Sequence, residues 1–350
     1  MGGSVRDLLM GKIPKDYDVA TDAIPEEVKT VFPRARLIGR RFRLAHVRMG
    51  GSLIEVATFR GPQQSEDDDH THESGRILRD NVWGSLEEDA IRRDFTINAL
   101  FLDPVSGDIK DFVGGYKDLS ERKLRLIGDA RTRYREDPVR LLRAARFVAK
   151  LGLELGEETG KYVTSMAPLL KDIPPARLFE EVCKLFMTGH ASRTMEALQR
   201  FGLAHALFPV LKRDGKSGQV KTGVLLEKAL KNTDERVANN RPVTPAFLFA
   251  ALFWQPVRAR ADVLQASGMQ EYLALGQAAD EVMSEQVKRT AVPRRFSVIT
   301  RQIWMMQPRF RHTHGRRAKS LMGERRFRAA YDFLLLRAEE DSTLKGLCEH

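Results

Sequence analysis

The chain opens on Gly2-Gly3 and soon after carries Asp16 and Asp18 in the run Lys15-Asp16-Tyr17-Asp18-Val19. In an extended segment residues i and i+2 share a face, so this spacing predicts two carboxylates converging on one point. Two carboxylates held together repel each other unless a cation lies between them. Mg²⁺ suits such a place, because it takes a few carboxylate oxygens and completes its shell with phosphates and water. The glycines upstream can bring backbone N–H groups close to a phosphate chain. Glu55, between apolar residues in "SLIEVATFR", lies on an expected strand and offers a third carboxylate. Three carboxylates on neighbouring strands suit a two-metal site, with ions about 3.5–4 Å apart aligning a hydroxyl nucleophile and a leaving pyrophosphate. The bland reading of Glu55 is a surface position on an edge strand.

A second constellation lies at "YREDPVRLLRAARF" (134–147). Asp137 before Pro138 predicts a helix start with proline at its first position. Asp137, Arg140 and Arg143 then fall three apart on one face. An acceptor beside a donor can read a base edge, and adenine and cytosine both offer the matching pair. The competing reading is an N-cap with i,i+3 ion pairs on a solvated helix. Arg40, Arg41 and Arg43 put three cations within four residues, suited to a triphosphate or a nucleic-acid backbone. His70 and His72 beside Asp67 to Asp69 have metal-binding side chains, but their polar setting (61–75) reads as a loop without structure to fix ligands.

These side chains need a scaffold, and composition bounds it. At 350 residues the chain is long enough for at least two cores. No run of about 18 apolar residues is present, so no membrane-spanning helix is expected, and the first residues lack the apolar stretch of a signal peptide. Two cysteines, Cys183 and Cys348, make no disulfide framework and suit a reducing cytoplasm. The net charge is +11, and its excess sits between Lys288 and Arg328, where thirteen Lys or Arg face one acid, Glu324. Phe296, Trp304, Phe310 and Phe327 interleave with those cations. Cations with aromatics suit phosphate neutralisation and base stacking, although for the aromatics alone a core position is the better reading.

Short β-like runs up to residue 127 ("ARLIG", "FRLAHVRM", "SLIEVATF", "INALFLD") predict an α+β layer on a small mixed sheet. From Asp137 onward apolar residues recur at helical spacing, so the rest reads as mostly helical. The expected division is a head at 1–127, a helical neck at 128–190 and a helical body at 191–350 holding the basic region 288–328.

Taken in order, these stretches resemble a family. "GGSVRDLLMGKIPKDYDVAT" is similar to the active-site opening of the nucleotidyltransferase branch shared by bacterial poly(A) polymerases and bacterial-type tRNA CCA-adding enzymes. "EEDAIRRDFTINAL" (87–100) resembles its second motif and "YREDPVRLLRAARF" its nucleotide-choosing motif. "LIGRRFRLAHV" (37–47) resembles the poly(A) polymerase version, where CCA-adding relatives carry a less basic sequence. The resemblance continues through "IPPARLFEE", "TPAFLFAALFW" and "FRAAYDFLLLRAE", nearly the whole chain.

Carried over by position, the resemblance implies Asp16 and Asp18 as the metal-binding pair, with Asp94 and Glu55 both eligible as third catalytic acid and Asp94 linked to the nucleotide ribose. It implies nucleotide contacts from Gly2, Gly3, Arg6, Arg93, Asp137, Arg140 and Arg143. Arg40, Arg41, Arg43, Arg316, Arg317 and Lys319 are the expected RNA or phosphate contacts. The implied activity adds AMP from ATP to RNA 3′ ends, with two Mg²⁺ ions and release of pyrophosphate. The rivals are a CCA-adding enzyme and a basic RNA-binding protein without catalysis. The family has a helix and a strand before the glycines and a third glycine where Met1 stands, so the start of the head is expected to be missing from this chain.

Overall fold

The computed structural model describes residues 1–39, 43–61, 71–72, 76–77, 82–215 and 219–349. Arg40, Arg41, Asp67 to Asp69 and His70, and the side chain of His72, lie outside what is described. The described chain forms two compact units, Met1–Met166 and Ala167–His350.

The first unit starts with helix α1 (Gly3–Leu9) and strand β1 (Asp18–Thr21), followed by α2 (Pro25–Val31) and strands β2 (Arg36–Ile38), β3 (Leu44–Met49) and β4 (Ser52–Thr58). The strands form a mixed sheet in the order β1-β4-β3-β2. β1 runs parallel to β4, and β3 is antiparallel to both its neighbours. Apolar alternation builds one face: Ala45 and Val47 of β3 and Val56 of β4 pack on Val28 of α2. On the opposite face Ala20 meets a cluster of Ala90, Ala99, Phe101 and Ile127.

The chain then forms α3 (Leu86–Ile91), α4 (Gly115–Ser120), α5 (Ala130–Glu136), α6 (Val139–Leu151), α7 (Glu157–Lys161) and α8 (Val163–Met166). Ser85 caps α3 in a reciprocal capping box with Glu88. The "INALFLD" run is strand only from Leu100 to Leu102. Thr96–Asn98 is a 3₁₀ turn instead, which frees the Asn98 side chain for the contacts described below.

The second unit is helical: α9 (Pro175–Phe186), α10 (Ala191–Arg200), α11 (Ala204–Leu207), α12 (Val224–Ala238), α13 (Pro245–Ala266), α14 (Glu271–Thr290), α15 (Arg294–Met306), α16 (Gly315–Met322) and α17 (Phe327–Glu340). Its core forms around α13, whose Phe249 and Phe253 rings stack 5.5 Å apart. The indole N–H of Trp304 from α15 donates to the Ala250 carbonyl at 3.0 Å. Among the described residues no helix is long and apolar enough to cross a membrane.

Candidate active site

Parallel pairing of β1 with β4 places Asp18 opposite Glu55, so both carboxylates leave the sheet on one face. β4 is paired on both sides, which rules out the edge-strand reading of Glu55. On β3, directly across from Glu55, His46 Nε2 lies 3.2 Å from its Oε1. Asp16 precedes the strand, which begins at Asp18, and is exposed in the loop. Asp16 thus lies outside the extended segment on which the expected shared face depends, and its charge adds only a minor push to the Asp18 carboxyl. Burial pushes the Asp18 carboxyl above its usual range, and the charges of Glu55 and, less, Asp16 push it further. A site where carboxylates crowd at a strand end suits a divalent cation. Among the described residues no group of three or more metal-binding side chains is gathered closely enough to hold an ion by itself.

Gly2 stands at φ 62° and ψ −119°, backbone that favours glycine. A Cβ there would lie 2.9 Å from Arg93 Nη1 and 3.3 Å from the Asn98 carbonyl oxygen. The Gly2 N–H donates to the Leu100 carbonyl at 2.8 Å, so this amide anchors the loop to the following segment. Gly3 begins α1. Arg93 is tied to Asp89 through Nε and Nη2, donates from Nη1 to the Asn98 carbonyl, and lies 4.7 Å over the Phe101 ring. Its charge offsets part of the upward push on Asp18.

Asp94 joins distant parts of the unit. Its Oδ1 accepts from the Phe95 N–H at 2.8 Å and from Asn98 Nδ2 at 3.1 Å. Its Oδ2 accepts from Arg143 Nε at 2.6 Å and pairs with Arg143 Nη2. Asn98 Oδ1 in turn accepts from Arg6 Nη1 at 2.5 Å, and Arg6 also grips Asp7. The guanidinium groups of Arg6, Arg143 and Arg146 all lie within 5.6 Å of the Phe147 ring centroid. Burial alone would raise the Asp94 carboxyl, but Arg143 with the Asn98 and Phe95 hydrogen bonds outweighs it and holds the group below its usual value.

Asp137 closes α5 as its C-terminal cap, and its Oδ1 accepts from the Val139 N–H at 3.2 Å. Helix α6 begins at Val139, with Pro138 just outside, one residue later than the sequence pattern places it. Arg140 is buried and donates from Nη1 to the Arg133 carbonyl and to Glu136. Arg43 pairs with Glu26 of α2 at 2.7 Å on the exposed surface.

Within the second unit the basic stretch separates into paired and unpaired cations. Arg301 grips Asp280 through two nitrogens, Arg311 grips Glu271, Arg309 meets Glu324 and Arg328 meets Asp332. Three of those four acids lie outside residues 288–328. Arg316, Arg317 and Lys319 are exposed on α16 and form no ion pair among the described residues. Arg325 and Arg326 line two adjoining grooves of about 490 and 740 Å³, the first shared with Arg294 and Arg295 and the second with Arg241. Trp304 and Phe310 are buried, while Phe327 packs on Phe310 and Tyr331 and Phe296 stacks on Phe179. The aromatics serve the core, as their spacing alone favours.

Residues 1–125 match the family described as "Poly A polymerase head domain", residues 152–214 "Probable RNA and SrmB- binding site of polymerase A", and residues 267–350 "Polymerase A arginine-rich C-terminus". Poly(A) polymerase I of Escherichia coli O6:H1 is 48% identical over 345 residues, 97% of this chain and 74% of that protein. The chain belongs to the poly(A) polymerase family. The Haemophilus influenzae Poly(A) polymerase I is 44% identical, over 97% of this chain and 76% of its own length. A CCA-adding enzyme of Geobacillus thermodenitrificans is 39% identical over 216 residues, 62% of this chain and 52% of that protein. Among solved structures, the Bacillus stearothermophilus CCA-adding enzyme in complex with CTP superposes with a TM-score of 0.64 at 28% identity, covering 99% of this chain and 75% of that one. Family membership and fold agree with the α+β head and helical remainder expected from the sequence.

Sequence reasoning passed over Asn98, Asp89, Glu136, His46 and Phe147. Asn98, four residues after Asp94 in "RRDFTINAL", had a positional signal as a neighbour in a tight turn. Asp89 and Glu136 carried an i,i+3 or i,i+4 signal toward Arg93, Arg133 and Arg140, and Phe147 toward Arg143 of its own helix. His46 became visible only through Glu55 on the neighbouring strand.

Proposed function

We propose that this protein is a template-independent poly(A) polymerase that adds AMP from ATP to RNA 3′ ends and releases pyrophosphate. The observation that carries the reading is similarity to Poly(A) polymerase I across 97% of the chain, with Asp18 at the start of β1 facing Glu55 in the middle of β4 where the transfer would occur. The match to a CCA-adding enzyme covers 62% of the chain, and "LIGRRFRLAHV" adds weight on the same side. Intact Asp16 and Asp18 argue against a merely RNA-binding role.

In this reading Asp16 and Asp18 hold Mg²⁺, with Glu55 beside them as a third carboxylate. When bound, the metal supplies positive charge at the reacting phosphate and lowers the pKa of the attacking hydroxyl. The chain's own residues position the reactants. Arg93, fixed by Asp89 and Asn98, keeps a cation next to the carboxylates. Asp137 and Arg140 at the start of α6 are the proposed base-reading pair, with Arg143 alongside. RNA is held by cations of the second unit that form no ion pair among the described residues: Arg316, Arg317 and Lys319 on α16, and Arg325 and Arg326 in the adjoining grooves. The head at 1–127, neck at 128–190 and body at 191–350 are the proposed functional divisions. Two free cysteines suit a reducing cytoplasmic setting.

Primer extension tests the reading. With an unrelated RNA oligomer and a tRNA ending at its discriminator base, both are extended with A, and CTP is used poorly. A defined two-C, one-A addition confined to tRNA replaces the reading with the CCA-adding one.

A further inference from the structure

A recess of about 300 Å³ opens in the second unit between α12 and α13. Its walls are aliphatic and buried, Leu225 and Leu226 from α12 and Leu252 and Pro256 from α13. That volume stands at the low end of ligand sites and holds one ring system rather than several. Two features mark the recess. The first is charge. Arg213 and Val220 pair as an antiparallel bridge, and the Lys221 N–H donates to the Lys212 carbonyl at 3.0 Å. Lys212 and Lys221 therefore stand directly opposite, with Cα atoms about 5.5 Å apart and side chains on one face. Both line the recess and both are exposed. Like charges so placed oppose folding, and neither lysine forms an ion pair among the described residues. The carboxylates at this rim bond other groups: Glu340 accepts from Gln255 at 3.3 Å and Glu227 from the Thr222 hydroxyl at 3.4 Å. An anion between the two ammonium groups would relieve their repulsion. The second feature is in the backbone. Pro256 sits inside α13 and carries no N–H, so the Leu252 carbonyl four residues back loses its helical donor. Leu252 and Pro256 both line the recess, so the broken link lies in its wall.

We propose that this recess is a nucleotide-binding subsite: a base enters between α12 and α13, and its phosphate lies between Lys212 and Lys221. The aliphatic walls suit the faces of a flat ring. The Leu252 carbonyl, with the Gln255 amide beside it, meets an exocyclic amine on the ring edge. The two ammonium groups take the phosphate through charge-assisted hydrogen bonds. A fatty anion would leave the Leu252 carbonyl without a donor, and inorganic phosphate would leave the walls uncovered. The same chemistry is offered by a free mononucleotide and by one nucleotide of an RNA strand. Every residue of the subsite belongs to the second unit, so it is separate from the carboxylates of the first.

The test is photolabelling of the full chain in chelator with 8-azido-AMP and, separately, with a short RNA carrying 8-azidoadenosine. Labelled peptides are mapped by mass spectrometry, so label in the first unit and label in the recess are counted apart. The expected label falls within residues 221–259, which supply most of the lining. Lys212→Gln combined with Lys221→Gln should raise the half-saturating probe concentration for that label at least about tenfold, the effect of losing charge-assisted contacts to phosphate. Ala259→Leu fills the recess from its edge, keeps both lysines, and should weaken the same label. It serves if the lysine variant does not fold. Label from 8-azido-AMP makes a free nucleotide the occupant, and label from the RNA alone makes it a nucleotide of the strand. No label in this segment from either probe overturns the proposal, as does an unchanged half-saturation in either variant. No transfer takes place in chelator, so failure of the poly(A) reading and failure of this subsite are separate results.

Discussion

Replacing Asp18 by Asn should make the protein more stable and nearly inactive at once. Asp18 sits directly across from Glu55 in the parallel β1–β4 register, and burial and Glu55 raise its carboxyl above the usual range. A raised carboxyl is worth more protonated than ionised, so at neutral pH the charged form weakens the fold, and stability returns as the pH falls through the raised value. Asparagine keeps the shape and removes the charge. Like charges facing each other across strands cost about 0.2–1 kcal/mol. In a unit of this size 1 kcal/mol moves Tm by about 2–4 °C, so the variant should melt about 0.5–4 °C higher in metal-free buffer. The gain should shrink as the pH falls through the raised value and be gone by the ordinary 3.8 of aspartate, below which both proteins are neutral at this position. Activity goes the other way: losing a metal ligand worth several kcal/mol slows transfer about 10³-fold. Added Mg²⁺ and ATP at a hundred times their Kd should stabilise wild type by about 2.7 kcal/mol and the variant much less. Thermal melts with chelator and with Mg²⁺-ATP, beside primer extension, measure all of this. A variant that melts below wild type in chelator, or keeps more than a tenth of the rate, refutes the crowded-carboxylate reasoning.

Neutralising Arg316, Arg317 and Lys319 to Gln should reduce the salt slope of single-stranded RNA binding by about 2, at roughly 0.7 per phosphate contact, and Arg325→Gln with Arg326→Gln by about 1.4. Fluorescence anisotropy across a salt series checks both, and an unchanged slope means that the residues replaced never meet the phosphates. Trp304→Phe removes the donor to the Ala250 carbonyl inside the helical unit and should cost about 1–3 kcal/mol in denaturant unfolding. Asp94 is held below its ordinary value, so it contributes stability above the usual 3.8 of aspartate that is lost as the pH falls through the depressed value. Asp94→Asn should therefore flatten the acid limb of the stability curve, and denaturant titrations from neutral to strongly acidic pH would show a parallel limb if that reasoning is wrong.

What the sequence determines is what depends on near neighbours. Period-2 alternation in "FRLAHVRM" and "SLIEVATF" and helical periodicity after Asp137 announce an α+β head and a helical remainder, because side-chain direction in a strand or helix is local. The spacing of Asp16 and Asp18 and the count of cations in 288–328 are legible for the same reason. Tertiary structure decides which groups are spent on each other. Asp94 meets Arg143, 49 residues on, and Arg6 meets Asn98, 92 residues on. No local pattern reports that Asp94 is engaged by Arg143 while Glu55 keeps a half-exposed carboxylate. The arginine-rich stretch shows the same division. Composition supplies its charge, but Asp280, Glu271 and Asp332 come from outside it to neutralise Arg301, Arg311 and Arg328. Arg316, Arg317, Lys319, Arg325 and Arg326 form no ion pair among the described residues, although Glu324, Asp332 and Glu339 line the grooves beside Arg325 and Arg326. A charge is a property of one residue, whereas its neutralisation is a property of a distance between two, and folding sets that distance.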